Sequence, residues 1–335
     1  MAELENTISK AFPGKTVVIV GDLVADQYLS GTIDRVSREA PVFILRHDMT
    51  TTLAGAAANA AANVASLGGR AIAVGVIGND PNGDALRTEM QRLGIDTGSV
   101  ISDDLVTTTT KVRILAGQKH AVRQQVIRVD YENGKAYPPE LRSRLLADLK
   151  RAATIADAII VSDYNYGVAD AELFGAALTI ARERGIPITV DSRFRLGEFQ
   201  GATSATPNQE EVEQHLGKGF TDADCERLRQ QIGLDALLVT NGSKGMMLVE
   251  NGRAPLQIDA VGSPEAVDVT GAGDTVIAAY SLGLASGMSF ADAARIANHA
   301  GGLVVMKKGT ATISADELIG SLRADDSLRL SKPAG

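Results

Sequence analysis

Tryptophan is absent and cysteine occurs once, at Cys225, in a chain of 335 residues. A single thiol permits no intrachain disulfide and no cysteine-based zinc cluster. Stability must then come from a packed core, and a chain this long can build one. The four histidines are scattered and show no metal-ligand spacing. No run of eighteen uncharged apolar residues occurs, so no membrane span is expected. The opening MAELENTISK is polar and acidic, without the apolar segment of a secretory signal, and a reducing, cytoplasmic setting is expected. Positive charge is also in short supply: 33 Lys and Arg face 41 Asp and Glu, for a net charge of −8. That balance argues against a nucleic-acid backbone as partner, while leaving room for anions held in a local site.

What is present is a rhythm. Short β-branched runs at 16–20, 71–77, 158–162, 186–190 and 236–240 read as buried parallel strands. Helical stretches at 56–67, 141–156, 171–184 and 223–232 separate most of them. Strands alternating with helices predict an α/β fold, a mostly parallel sheet covered on both faces. Two regions break the rhythm. Residues 29–47 have no helical period, and residues 107–131 alternate apolar and polar in two runs around a loop at 116–120. Both predict a small separate β-sheet built from insertions. The expected organisation is one domain over 1–325, with a polar, flexible tail at 326–335.

The most informative stretch is Val269-Thr270-Gly271-Ala272-Gly273-Asp274, followed by an apolar run from Thr275 to Leu284. Glycine lets the backbone bend and lets a ligand approach. The apolar run predicts a buried helix whose first N–H groups, with the helix dipole, form an anion site. Asp274 at its rim is placed to take a proton from an attacking hydroxyl. Read only as a complement to the helix dipole, it would be an ordinary first-turn acid. Other phosphate motifs fail. There is no G-x-x-x-x-G-K-S/T, and Val276 stands where a dinucleotide fingerprint needs its third glycine.

Three further stretches add candidates. GDLVAD, residues 21–26, follows the first strand, where open α/β sheets bind ligands, so Asp22 and Asp26 are candidates to hold sugar hydroxyls, or else are exposed loop acids. The helix of small residues at 53–68 carries Asn59 and Asn63 on one face. Asn208 and Glu211 in TPNQEEVE offer oxygens to Mg²⁺ and its waters, or else form an N-cap with its acidic partner.

Together these elements resemble the ribokinase-like, PfkB-type sugar kinases, from about Lys15 to Leu322. Asp268 to Asp274 resembles the family's D-T-x-G-A-G-D element, and Gly55 to Gly68 its G-G-x-x-x-N helix. Asn208 and Glu211 match N-x-x-E, and Thr240 to Gly245 is similar to T-x-G-x-x-G. The resemblance implies a Rossmann-like domain with a β lid over the sugar, ATP and Mg²⁺ as cofactors, and a homodimer formed through the lid. It implies Asp274 as base, with Gly271, Ala272 and Gly273 as anion hole. Asp26, Gly55 and Asn59 would contact the sugar. Thr240, Gly242, Ser243, Gly245 and Asn298 would lie along ATP. Asn208 and Glu211 would serve Mg²⁺, and Asp268 and Thr270 a monovalent cation such as K⁺. Within the family, GDLVADQYLSG, RVSREAPV, TTTKVRIL and VIRVDYE resemble the kinase domain of bacterial heptose enzymes, which phosphorylate O1 of D-glycero-D-manno-heptose 7-phosphate. Lys111, Arg113 and Arg128 on the expected lid strands, with Asp163, would then meet the phosphorylated substrate. Three departures stand out: Ala56 replaces a glycine, Tyr166 replaces a lysine, and Asp191-Ser192-Arg193 stands for D-P-K. Rival readings are a kinase of another sugar, a non-catalytic sugar or nucleotide sensor on the same fold, and a nicotinamide dehydrogenase.

Overall fold

The computed structural model describes residues 2–118, 123–132, 137–263 and 265–331. Its strands are β1 (Thr16–Gly21), β2 (Leu23–Val36), β3 (Phe43–Ala56), β4 (Arg70–Gly78), β5 (Asp96–Asp103), β6 (Thr110–Gly117), β7 (Gln124–Tyr131), β8 (Ala158–Asp163), β9 (Ile188–Ser192), β10 (Ser204–Ala205), β11 (Ala236–Thr240), β12 (Met246–Glu250) and β13 (Leu256–Ile258). The helices are α1 (Ala2–Asn6), α2 (Ala57–Ser66), α3 (Pro81–Arg92), α4 (Pro139–Ala153), α5 (Ala171–Arg184), α6 (Gln209–Leu216), α7 (Asp222–Ile232), α8 (Ala272–Ala285), α9 (Phe290–Val304) and α10 (Ala315–Ser331).

Nine strands form the main sheet in the order β13-β12-β11-β10-β9-β8-β1-β4-β5. All neighbours from β11 to β5 run parallel, and β12 and β13 add an antiparallel edge. Strand β1 shows why the runs are continuously apolar. Val17 and Ile19 face the core shared with α2 and α8, whereas Val18 and Val20 face the core shared with α4 and α5. A strand covered on both faces has no position left for a polar side chain. Helix α8 is buried from Asp274 to Gly283, as an apolar helix without a polar face must be.

The second sheet has the order β3-β2-β6-β7. Strands β2 and β6 run parallel, and each carries an antiparallel partner. This is the expected small sheet, but its first half is longer than 29–47. It begins at Leu23 and ends at Ala56, because the buried roots of β2 and β3 read like core strands. Part of the expected loop at 116–120 lies outside the described residues. The expected tail is also corrected at its start. Helix α10 continues to Ser331, and residues 332–335 lie outside the described residues. Strands β5, β10, β12 and β13 were not anticipated. Among the described residues, no helix is long and apolar enough to cross a membrane.

Candidate active site

Helix α8 starts at Gly271, whose φ of 77° lies in the left-handed region, and no side chain caps it. A Cβ at 271 would also stand 2.4 Å from Asn59 Nδ2, so glycine is required here twice over. Gly273 is different: a Cβ there would meet Asp191 Oδ2 at an ordinary 3.8 Å. The first turn lines a cleft of about 820 Å³ at the positive end of the helix dipole, with the Ala272 N–H already donated to Val269 O at 3.2 Å. Gly271, Ala272, Gly273 and Asp274 line it, with Asp163, Tyr164, Asp191, Arg193, Thr206, Asn208, Glu211, Thr240 and Gly242 among the residues opposite.

Asp274 is only 3% exposed. Its Oδ2 accepts a hydrogen bond from Asn59 Nδ2 at 2.8 Å, and its Oδ1 accepts one from the Tyr164 hydroxyl at 3.0 Å. Burial pushes its pKa up to about 7, against the opposing pull of these two donors. Asn63 continues the same interface. It donates to Asn59 O at 3.0 Å, and its Oδ1 accepts from Thr275 Oγ1 at 3.0 Å. The small residues of α2 allow this approach, so two buried asparagines fix the base to a neighbouring helix.

Asp191 lines the same cleft, at the carboxyl end of β9. Burial, then the nearby carboxylates of Glu211, Asp274 and Asp163, hold it well above the usual carboxylate range. Asn208 and Glu211 form a capping box on α6. Asn208 Oδ1 accepts from the Glu211 N–H, and Glu211 Oε2 accepts from the Asn208 N–H, both at 2.9 Å. Thr206 is buried beside them, and its Oγ1 has no hydrogen-bond partner. Among the described residues, no group of three or more His, Cys, Asp or Glu forms a direct metal cage. The Asp191, Glu211 and orphaned Thr206 oxygens fit a hydrated Mg²⁺, which keeps its waters, better than a fully protein-ligated ion.

Several sugar-side candidates are engaged with one another. Asp26 forms a salt bridge with Arg113 Nη1 at 2.6 Å, and both side chains are largely buried. Gly55 makes room for that carboxylate, since a Cβ there would stand 2.8 Å from Asp26 Oδ2. Lys111 places Nζ over the rings of Tyr164 and Tyr166, 5.4 and 5.7 Å from their centroids. Burial, opposed by Asp26, lowers its pKa. Arg128 is exposed and pairs with Asp130 at 2.9 Å.

Other expected residues are occupied by structure. Asp22 accepts the backbone N–H groups of Tyr164, Tyr166 and Val168, and so shapes the loop after β8. Asp163 receives Ser192 Oγ at 2.7 Å and Arg195 Nη2 at 2.5 Å, which leaves Arg193 as the arginine lining the cleft. Asp268 accepts the N–H groups of Thr270 and Gly309, both at 2.9 Å. Ser243 and Gly245 are not among the residues lining the Asp274 cleft. Gly245, with φ of 91°, instead admits the backbone at Ile258, whose O would stand 2.0 Å from a Cβ. Asn298 lines a separate cavity of about 510 Å³ and donates to Asp259 O at 2.7 Å. Tyr164, Asp191 and Thr206 carried no assigned role in the sequence. The signal available for the first two was position, since both lie at carboxyl ends of sheet strands.

A mostly parallel sheet with helices on its faces and a second, small sheet beside it is the ribokinase-like α/β fold. Residues 15–317 match the pfkB family carbohydrate kinase. Bifunctional protein HldE of Caulobacter sp. strain K31 is 39% identical over 328 residues, covering 95% of this chain and 65% of that protein. Bifunctional protein HldE of Geobacter sulfurreducens is 37% identical over 311 residues, covering 91% and 62%. The chain thus spans just under two thirds of the length of these curated relatives. Among solved structures, Arabidopsis thaliana ribokinase complexed with ribose and ATP superposes with a TM-score of 0.70 at 21% identity, covering 92% of this chain and 98% of that one. Phosphofructokinase-2 from Escherichia coli in complex with potassium gives 0.73 at 18% identity, covering 92% and 98%. The chain belongs to the pfkB family of carbohydrate kinases.

Proposed function

We propose that this kinase transfers the γ-phosphoryl group of ATP to O1 of D-glycero-D-manno-heptose 7-phosphate, with Asp274 as general base. The observation that carries the chemical part is Asp274 itself, buried at an uncapped helix N-terminus on the cleft wall. Its carboxylate takes the proton of the acceptor hydroxyl. The sugar oxygen then forms its bond to phosphorus as the bond to ADP breaks. The Gly271–Gly273 turn at the positive end of α8 would stabilise the charge that spreads over the transferring group, through the N–H groups not already taken by Val269 O. Thr240 and Gly242 line the ATP side, and Ser243, Gly245 and Asn298 remain candidates for its outer parts. Asn208 and Glu211, with the Asp191 and Thr206 oxygens beside them, would hold Mg²⁺ through water, and the ion when bound neutralises phosphate charge. Asp268 and Thr270 would border a monovalent cation such as K⁺.

The heptose phosphate is supported by the lid motifs, by the likeness to the HldE proteins, and by cations at the cleft mouth. Arg193 lines the cleft, and Lys111 and Arg128 on the second sheet would meet an anionic sugar there, with the Arg113–Asp26 pair at the root of that sheet and the Arg195–Asp163 pair at the carboxyl end of β8. Arg193 adds positive charge beside Tyr164 and Lys111, on the cleft, in a chain that has lost the lysine now replaced by Tyr166. A homodimer through the lid is supported by exposed Val36, Phe43, Val126 and Ile127 on its strands.

The test is ADP release from Mg-ATP with D-glycero-D-manno-heptose 7-phosphate, sedoheptulose 7-phosphate, fructose 6-phosphate, fructose and ribose. Turnover confined to the heptose phosphate is the expected result. Preferred turnover of an unphosphorylated sugar would overturn the substrate and make Tyr166 the mark of another specificity.

A further inference from the structure

Asp274 is held from two sides, and only one of them is explained by the family-like helix α2. The other is Tyr164, in the loop just after β8. Three contacts fix this residue. Its backbone N–H donates to Asp22 Oδ2 at 2.8 Å, its side-chain hydroxyl donates to Asp274 Oδ1 at 3.0 Å, and Lys111 Nζ lies 5.4 Å from its ring centroid. Lys111 belongs to lid strand β6, where it pairs in register with Asp26 of β2. A cation over a tyrosine face is attracted by the ring and resists lateral displacement of it.

We propose that Tyr164 is a positioning residue for Asp274, and that Lys111 ties this positioning to the lid. The proposal rests on the reading of Asp274 as base. A phenol that donates to a carboxylate favours its ionised form and fixes which oxygen lone pairs remain for an incoming hydroxyl. The lid strand that covers the sugar would thus also hold the ring that orients the base. The charged and titratable groups facing Asp274 are Asp26 from β2, Lys111 from β6, Tyr164 from the β8 loop and Asp191 from β9. Arg193 faces Tyr164 from the end of β9. Of these, Tyr164 alone donates a hydrogen bond to Asp274; the other donor is the neutral Asn59.

The experiment is a carboxyl ¹³C titration of the ligand-free protein labelled at aspartate, with the Asp274 resonance assigned by its loss in Asp274→Asn. In Tyr164→Phe the midpoint should move up by about one pH unit, the scale of one hydrogen bond to a charged acceptor. Lys111→Met should move it in the same direction, in part because the Lys111 charge itself lowers the Asp274 pKa; the tie through Tyr164 shows as a smaller Lys111→Met shift in the Tyr164→Phe background than in wild type, and Tyr164→Leu serves if Tyr164→Phe fails to fold. An unchanged or lowered midpoint in Tyr164→Phe overturns the proposal, and equal Lys111→Met shifts in the two backgrounds overturn its lid half. The pH profile of kcat/KM, measured with Mg-ATP and D-glycero-D-manno-heptose 7-phosphate, separates the two readings. A wild-type resonance titrating near its NMR midpoint, with no matching limb in an active enzyme's kcat/KM, would remove Asp274 as base. It would leave the Tyr164 link to Asp274 standing on the titration.

Discussion

The interface of α2 with α8 and the outer half of the lid solve opposite problems with similar polar residues. Between α2 and α8, Asn59, Asn63, Asp274 and Thr275 are all buried and bond to one another. On the lid, Arg123 pairs with Asp48 and Arg128 with Asp130, at exposed or half-exposed positions, and β7 is exposed along its length. A buried polar group without a partner costs free energy, so the first network has one arrangement. An exposed pair contributes little and exchanges with water, so the second can open for a ligand.

The largest expected effect tests the fixed side. Asp274→Asn should lower turnover by roughly 10²–10⁴, the range for a positioned base, while ATP binding persists. Stability should change the other way. The folded-state pKa of about 7 lies above the ordinary 3.8, so the folded protein holds this proton more tightly than the unfolded chain. That contribution is fully present below about pH 4 and is lost as pH rises through 7. The variant should therefore gain on wild type across this window, by about 2–4 kcal/mol at pH 8, as read from denaturant unfolding at several pH values. A gap that does not depend on pH would show that Asp274 is not held neutral by burial.

The lid root is the next place to break the comparison, because it belongs to the buried side. Asp26 and Arg113 pair at 2.6 Å with little exposure. Arg113→Met leaves Asp26 buried without its partner and should cost roughly 3 kcal/mol in denaturant unfolding. A loss no larger than that of Arg128→Met, on the exposed strand, would erase the difference between root and tip.

Gly271→Ala should cost less, about 2 kcal/mol, from a left-handed φ and a displaced Asn59. Turnover should fall further than this loss of stability accounts for, because Asn59 would leave Asp274. Wild-type turnover would mean that the Asn59 bond does not matter to the base.

The two regions were also unequally legible. The buried strands announced themselves as β-branched runs, and helix α5 falls on its expected residues because an Asp170 N-cap and a Gly185 C-cap bound it. The Gly271–Asp274 turn was legible because glycine, small residue and acid are all local. Asn208 and Glu211 were legible as an N-cap with its acidic partner. What could not be read was non-local. Nothing in sequence spacing joins Tyr164 to Asp274, Arg195 to Asp163, or Asp22 to the loop at 164–168, each more than thirty residues apart. The root of the lid was misplaced by several residues because buried lid strand and core strand obey the same pattern.

The smallest expected effect is a gain at the hinge between the two regions. Ala56 ends β3 and precedes α2, three residues before Asn59, with φ of 55° and ψ of −129°. This backbone conformation is open to glycine and strained for alanine, by an amount on the order of 1–3 kcal/mol. The side chain is buried, so the alternative account is that its methyl packs well enough to offset the strain. Replacing it by glycine relieves the strain but frees the unfolded chain, which takes back about 0.4–1 kcal/mol. Ala56→Gly should then stabilise the protein by about 1 kcal/mol in urea unfolding, with turnover little changed, because α2 keeps its place. A destabilised variant would mean that the methyl contact outweighs the strain. It would also mean that the junction is held by side-chain packing, as the core is, and not by the backbone bond from the Ala57 N–H to Asp22 O.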